Sequence, residues 1–349
     1  MIIAMNYDLL KRLVEAPGVP GQEGKVREIV IDALCGPGYE METDPLGNLV
    51  IHIPGSGPRV LLDAHLDEVG FLVQSVDPAT GFIRFVTAGG VDPRVAYGQP
   101  VIVWGHETLR GTIGAVPPHL LSGKNGDMER VPAVEDLFID TGLPADRIRA
   151  NVSPGDQITF LPNWHLDQDA VQGKALDDRI GLFVMIEAVR ASRDMACDLY
   201  LTASVQEEAG LRGAGPLTRR IVPDIAIAIE GTIANDLPGV PQHKTLARLG
   251  EGPEIRLSDG RFIADQAISS FLVRCAQDAG IPHQVVVKKV GGTNAAAFQV
   301  EGTGARATAL SVPVRYIHSP VCIARRADME NTATLLREFL RRVREFTPG

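Results

Sequence analysis

The strongest constraint on the fold is a long stretch without helix patterns, inside a chain that otherwise alternates strands and helices. From residue 68 to residue 165, short β-branched segments are punctuated by Gly and Pro, and none has the periodicity of a three-turn helix. On both sides, apolar strand-like runs alternate with amphipathic segments, which is typical of a mostly parallel sheet covered by helices. The sequence therefore predicts an α/β domain formed by residues 1–67 and 166–349, interrupted by an inserted, small, barrel-like all-β domain at 68–165.

The spacing of apolar residues predicts the individual elements. Helical periodicity predicts helices over 7–15, 22–34, 179–191, 264–279 and 329–346. Runs rich in β-branched residues predict strands over 48–53, 59–64, 199–205, 225–229, 284–288 and 307–311. The Pro- and Gly-rich turn at 54–58 predicts that the first two of these strands pair with each other. In the insert, a hairpin is predicted over 71–76 and 82–86, strands over 100–104, 111–116 and 157–160, and a polar loop over 122–130.

Composition limits the possible partners of the chain. Its 349 residues include 43 Asp and Glu against 34 Lys and Arg, a formal charge of −9, so it lacks the basic surface that nucleic acid requires. No apolar run reaches the roughly 18 residues that a membrane helix needs. The N-terminal segment does not resemble a secretory signal, and a cytoplasmic protein without membrane contact is therefore expected.

Acidic residues and histidines follow the predicted strands at the points where the strands end. In an open α/β sheet, ligands bind beyond the carboxyl ends of the strands. Burying so many charges at one edge would be costly unless a cation neutralised them. The pattern therefore predicts a metal site, built from candidates that follow four strands or begin one helix: His65, Asp67, Asp177, Glu207, Glu208, Glu230 and His318.

The types of these side chains indicate which metals are expected. Imidazole and carboxylate ligands without thiolate suit Zn, Co or Mn. The set contains too many carboxylates for one zinc ion, whereas two ions about 3.5–4 Å apart and bridged by a carboxylate are a known arrangement in hydrolases. The sequence therefore predicts two divalent ions per chain, with Zn as the first expectation.

Two positions have more specific predicted roles. Adjacent residues of a regular strand point to opposite faces, so the strand before Glu207 and Glu208 must end there for both carboxylates to face one cavity. One can then bind metal while the other accepts a proton from water. Asp67 is spaced to accept the second ring N–H of His65 and to fix the tautomer of that histidine. A glycosidase pair fits poorly, because its two carboxyls flank a sugar about 5–9.5 Å apart.

Four segments together resemble the M42 family of dinuclear metalloaminopeptidases. The resemblance covers nearly the whole chain, and it rests on the order of these motifs more than on any one pair of ligands. The segments are DAHLDEVGF at 63–71, GKALDDR at 173–179, VQEEAGLRGA at 205–214 and RYIHS at 315–319.

The resemblance implies a ligand scheme for this sequence. One ion is expected at His65, Asp177 and Glu230, and the other at Asp177, Glu208 and His318, with Asp177 bridging. Glu207 is implied as the general base. The family also implies hydrolysis of short peptides from the N-terminus, a β insert that mediates dimerisation, and dimers that assemble into tetrahedral dodecamers.

Two residues depart from the pattern of many relatives. Glu230 stands where many have Asp, and Asn294 stands where Asp often follows Gly-Gly-Thr. The first lengthens the reach to the metal by one methylene, and the second alters the surroundings of the substrate pocket.

Two other functions stay open from the residues alone. A di-metal deacylase or other amidohydrolase could use the same ions on a small amide. A structural or regulatory protein with an inactive site is the third reading, although it would have no need for a complete ligand set beside Glu207. The cellulase label that some relatives carry is disfavoured by the adjacent glutamates.

Overall fold

The computed structural model describes residues 3–36, 38–117 and 131–347, so the loop predicted at 122–130 lies outside the described residues. Helices α1–α9 span Tyr7–Glu15, Gly24–Leu34, Pro93–Ala96, Ala145–Asn151, Leu176–Ala191, Ala214–Ile221, Gln266–Asp278, Ala295–Val300 and Arg326–Arg342. Strands β1–β9 span Glu40–Thr43, Leu49–Ile53, Arg59–His65, Gly70–Val76, Ile83–Ala88, Pro100–Trp104, Thr108–Gly114, Phe138–Asp140 and Gln157–Phe160. Strands β10–β17 span His165–Leu166, Ala170–Gly173, Asp198–Ser204, Ile225–Ile233, Glu254–Ser258, Gln284–Val287, Arg306–Arg315 and Cys322–Arg325.

A mixed sheet with a parallel centre forms the larger part of the molecule. Its strand order is β1-β2-β12-β3-β13-β16-β17-β11-β10, and β14 with β15 extends it beside β16. The four central strands β12, β3, β13 and β16 run parallel. The strands that follow on either side of them pair antiparallel, and β14 is antiparallel to β16 but parallel to β15. The predicted α/β class with a sheet covered by helices is confirmed.

Alternate residues of the central strands bury two different cores. On β3, Val60 and Leu62 pack into the core that contains helices α1, α2, α5, α7 and α9. Leu61 points to the opposite face, where Leu217 of α6 and Phe298 of α8 cover the sheet. Because both faces of these strands are buried, their sequences read as continuous apolar runs.

The predicted pairing between the first two strands is wrong. Strand β12 lies between β2 and β3, antiparallel to the first and parallel to the second. Leu201 of β12 is opposite Ile51 on one side and Leu62 on the other. A turn rich in Pro and Gly ends a strand, but it does not determine that the next strand becomes its neighbour.

The strands between residues 70 and 160 close into a barrel with the order β4-β5-β8-β7-β6-β9. Phe71, Phe85 and Phe160 meet edge to face inside it, within an apolar core separate from that of the sheet. The predicted hairpin is the β4–β5 pair. Because β4 also pairs with β9, the chain enters and leaves the barrel on neighbouring strands, which lets the barrel interrupt the α/β part.

Several short elements escape sequence patterns. β14, α6 and α8 are between five and eight residues long, which is too short to show a recognisable periodicity of apolar residues. Among the described residues, no helix is both long and apolar enough to cross a membrane.

Candidate metal centre

The parallel strands bring the predicted ligands to one edge of the sheet. His65 is the last residue of β3 and is opposite Ser204, the last residue of β12. Glu230 lies on β13 opposite Ser311 of β16. The chain turns sharply beyond two of these strands, because Gln206 and His318 adopt left-handed backbone with φ of 56° and 58°. Such backbone at non-glycine residues is uncommon and clusters at functional sites.

Two groups of three side chains share Asp177. Oδ1 of Asp177 lies 3.6 Å from Nε2 of His65, and Oδ2 lies 3.4 Å from Nε2 of His318. Glu230 Oε2 is 3.8 Å from the His65 nitrogen, and Glu208 Oε1 is 3.2 Å from the His318 nitrogen. Asp177 therefore presents one carboxylate oxygen to each group.

These distances fit a divalent metal. Two ligands that each lie about 2.1 Å from a tetrahedral zinc ion are about 3.4 Å apart. In both groups of three, the potential ligand atoms lie within 4.8 Å of one another. Glu207 lies with His65 and Glu208 in a third group of this kind. The donor set consists of imidazole and carboxylate, as Zn, Co or Mn prefers.

The charges in the cluster are not balanced by the protein. Burial raises the pKa values of Glu207 and Glu230 well above the ordinary range, and neighbouring carboxylates raise them further. Burial alone would lower the pKa of His318, but its hydrogen bonds with Asp177 and Glu208 raise that pKa to about 11. Neighbouring carboxylates contribute to the raised pKa values of the two glutamates and of His318, and a bound cation would reduce their mutual repulsion.

Asp67 connects the two halves of the centre. Its Oδ1 is 3.3 Å from Nδ1 of His65, the ring nitrogen that does not face Asp177. The same carboxylate also accepts the backbone N–H groups of Glu207 and Glu208, each at 3.0 Å. Asp67 is fully buried and thereby holds the turn that carries both glutamates.

Asp178 is a positioning residue that sequence reasoning left without a role. Its carboxylate accepts the backbone N–H of His65 at 3.1 Å and those of Gly181 and Gly231 at 3.0 Å each. One buried side chain therefore joins the end of β3, the first turns of α5 and the residue after Glu230. The doubled aspartate in the sequence was its only signal.

Asn294 lies behind the centre and does not belong to it. Its amide donates to Asp63 Oδ2 and to Ser204 Oγ, each at 2.8 Å, and all three side chains are buried. Because it does not line the cavity, its effect on substrate binding is indirect.

A cavity of about 410 Å³ opens beside the centre. Beyond the ligands, its wall includes Arg256 and Lys288, which sequence reasoning missed. Arg256 donates to Glu254 at 2.7 Å and to Asp259 at 3.1 Å, and Lys288 lies 3.0 Å from Glu254. We refer to Glu254, Arg256, Asp259 and Lys288 as the wall cluster. No spacing in the sequence links its members, because the pairing of β14 with β15 and β16 brings them together.

The fold and the site together define a metal-dependent hydrolase of the α/β type, with a β-barrel inserted next to the metal-binding edge of its sheet. A family model described as M42 glutamyl aminopeptidase matches residues 47–335, and the chain belongs to this family. It is therefore a metal-dependent aminopeptidase, which hydrolyses peptide bonds, and a deacylase of small amides is not favoured.

Individual relatives agree with this assignment over nearly their whole length. The chain is 36% identical over 341 residues to the putative aminopeptidase FrvX of Escherichia coli (strain K12), covering 96% of this chain and 95% of that protein. It is 33% identical over 356 residues to a lysyl aminopeptidase of Pyrococcus furiosus, covering 99% and 100%. The solved structure of the TET1 peptidase of Pyrococcus horikoshii, which can assemble into a tetrahedron or a large octahedral shell, superposes with a TM-score of 0.84 at 31% identity, covering 96% and 98%.

Proposed function

We propose that this chain removes N-terminal residues from short peptides with two divalent ions, of which zinc is the first expectation and cobalt or manganese the alternatives. One ion would be held by His65, Asp177 and Glu230, and the other by Asp177, Glu208 and His318. The observation that carries this proposal is the position of Asp177, whose two oxygens face two histidines at 3.6 and 3.4 Å.

The metal supplies one part of the chemistry. When bound, divalent ions polarise the peptide carbonyl and lower the pKa of water towards neutrality. The remaining steps belong to side chains of this chain.

Glu207 is proposed as the general base. It shares a group with His65 and Glu208, but it belongs to neither of the two groups around Asp177. Its carboxylate accepts the proton of the attacking water and then delivers it to the leaving amine. Asp67 contributes by orienting His65 and by fixing the backbone of Glu207 through its accepted N–H bonds.

We also propose that the chain is divided into a catalytic part and a dimerisation domain. Residues 1–67 and 166–349 would form the catalytic part, and residues 68–165 would form a dimerisation domain. The tetrahedral or octahedral assembly described for the TET1 peptidase, and its dodecamer in a second solved structure, support self-association of this chain. We propose that it forms dimers, which then assemble into a dodecamer. The mass of the assembly in solution tests this step, because a monomer at micromolar concentration contradicts it.

The activity is tested with matched substrates. Metal-loaded protein should release the first residue from an unblocked dipeptide and from an aminoacyl p-nitroanilide, and chelation should abolish both reactions. The N-acetyl form of the same dipeptide is the control and should remain intact. Cleavage of the N-acetyl form instead of the free peptide would identify a deacylase and contradict the proposal.

A further inference from the structure

The two groups of side chains around Asp177 are supported by different parts of the molecule. We refer to His65, Asp177 and Glu230 as the first group, and to Asp177, Glu208 and His318 as the second group. All five side chains belong to the α/β part of the chain. The second group also lies against the segment that follows β5 of the inserted barrel.

The first group is oriented by residues of the α/β part. Nδ1 of His65 lies 3.3 Å from Asp67, and Asp178 accepts the backbone N–H of His65 at 3.1 Å. Asp178 also accepts the N–H of Gly231, the residue after Glu230, at 3.0 Å. These contacts involve no residue of the barrel.

The barrel orients the histidine of the second group. The carbonyl of Gly90 accepts the Nδ1–H of His318 at 2.8 Å. A carbonyl oxygen only accepts hydrogen bonds, so Nδ1 keeps its proton and Nε2 is the nitrogen that can bind a metal. Nε2 is also the atom that faces Asp177 and Glu208, at 3.4 and 3.2 Å. Gly90 thus fixes both the tautomer of this histidine and the orientation of its ring.

The preceding glycine lies against the glutamate of the second group. A Cβ at residue 89 would lie 3.1 Å from Cβ of Glu208 and 2.9 Å from Cγ1 of Val69. The backbone of Gly89 is also left-handed, with φ of 85°, a conformation that favours glycine. Glycine is therefore required here for two reasons, the backbone angle and the close approach of the barrel to Glu208.

The barrel is held in place by the segment before α2. The backbone N–H of Val19 donates to Gln157 at 3.3 Å, and the side chain of Gln22 donates to the carbonyl of Gly155 at 2.8 Å. Gln157 lies in β9 and Gly155 just before it. The position of the two glycines relative to the metal ligands therefore depends on how the barrel packs against the α/β part.

We propose that the inserted barrel positions the second group, and that Gly89 and Gly90 are positioning residues for the ion bound there. The inference rests on the proposed function, because it uses the scheme of two ions. It gives residues 68–165 a role within their own chain, besides dimerisation. Loss of a partner that orients a metal ligand typically weakens metal binding by about 10–100-fold. A disturbance of this turn should therefore weaken one ion by that factor and leave the ion of the first group in place.

The test changes Gly89 and measures bound zinc instead of turnover. Gly89→Ala adds a methyl group that pushes the turn away from Glu208. Gly98→Ala is the matched control, because Gly98 lies in the same insert with a similar φ of 80°, and a Cβ there meets nothing within 4 Å in the described part of the chain. At a buffered free Zn²⁺ concentration that gives the parent two ions per chain, Gly98→Ala should keep both and Gly89→Ala should keep about one.

Combined variants identify which ion is lost. Glu208→Gln removes a ligand of the second group, so the addition of Gly89→Ala should cost no further ion. Glu230→Gln removes a ligand of the first group, so the addition of Gly89→Ala should leave almost no bound zinc. A general weakening of the fold by Gly89→Ala would instead lower the zinc content equally in both combinations.

Two results overturn the inference. They are two ions in Gly89→Ala, or an equal loss of zinc in both combined variants, and with two ions in the parent either would leave the proposed function intact. A single ion in the parent would contradict the proposed function and the inference together.

A second variant carries the test if urea denaturation shows that Gly89→Ala does not fold while Gly98→Ala does. Nδ1-methylhistidine in place of His318 keeps Nε2 as a ligand but cannot donate a hydrogen bond to Gly90. This protein should hold about one ion under the same conditions. Two ions, bound as tightly as in the parent, would overturn the inference.

Discussion

Two groups of buried carboxylates border the same cavity, and they differ in what neutralises them. In the metal centre, Asp177, Glu208 and Glu230 form ion pairs with His65 or His318 and, in the described part of the chain, with no Lys or Arg. In the wall cluster, Glu254 and Asp259 are paired with Arg256 and Lys288 at 2.7–3.1 Å.

The pKa values of Glu254 and Glu230 are shifted in opposite directions. Burial would raise the pKa of Glu254, but Arg256 and Lys288 lower it below its usual value. Burial raises the pKa of Glu230 well above its usual value, and the nearby Asp178 raises it further. The comparison teaches that burial of a carboxylate does not by itself mark a metal site. In the described part of the chain, the metal centre is marked by several buried carboxylates that surround two histidines and form no ion pair with Lys or Arg.

The largest expected effect separates the two adjacent glutamates of the metal centre. Glu207→Gln removes the proton acceptor and preserves shape, so kcat should fall by about two to four orders of magnitude with unchanged metal content. Glu208→Gln removes an anionic ligand, so activity should fall through weaker metal binding and should partly recover at high metal concentration. Kinetics and metal analysis on both variants check this. If Glu207→Gln is the variant that loses metal, the roles are assigned wrongly.

The next effect compares the two clusters directly, in metal-free protein. Arg256→Met leaves carboxylates of the wall cluster without their partner and should lower the free energy of unfolding by about 3–5 kcal/mol. Glu230→Gln removes a carboxyl whose charged form is disfavoured by burial and by the nearby Asp178, so the free energy of unfolding should stay the same or rise by about 1 kcal/mol. Urea denaturation in the presence of a chelator measures both. If both variants lost the same free energy of unfolding, the proposed difference between the two clusters would be wrong.

Bound metal should raise the free energy of unfolding only in variants that keep all the metal ligands. At a free concentration about 100 times the dissociation constant, one bound ion adds about 2.7 kcal/mol to the free energy of unfolding. The measurement is urea denaturation with and without Zn²⁺. Arg256→Met should retain this increment because it leaves every ligand in place, whereas Asp177→Asn should lose it. An increment that survives Asp177→Asn would locate the metal elsewhere.

The smallest effect concerns a partly exposed ion pair on the sheet. Burial alone would lower the pKa of His52, but hydrogen bonds to Asp198 and Glu40 raise it. A raised pKa means that the stabilisation is complete below the usual value of 6.5 and is lost as the pH rises through the folded value. His52→Phe keeps a ring stacked on Tyr200 and should cost under about 1 kcal/mol at pH 6 and less at pH 8.5. An equal cost at both values of pH would exclude the ionic contribution.

The metal centre was more predictable from the sequence than the wall cluster. The ligands lie at or just beyond the ends of β3, β12 and β16, within β13, or in the first turn of α5. The parallel strands bring these positions to one edge of the sheet, so residues far apart in the sequence lie close together. The wall cluster depends on β14 pairing with both β15 and β16, and no local pattern specifies that pairing. The position of β12 between β2 and β3 was missed for the same reason. Residues such as Asp178, whose partners are backbone N–H groups, also could not be predicted, because almost every residue carries such a group.

The number of metal ions per chain tests the central claim most directly. Protein loaded with excess Zn²⁺ and then dialysed should contain two ions per chain by elemental analysis, since two groups of side chains surround Asp177. Asp177→Asn should lose both ions, because each group uses one oxygen of that carboxylate. Arg256→Met, if it folds, should keep two. A single ion in the parent protein at saturating metal, or two ions retained by Asp177→Asn, would contradict the account.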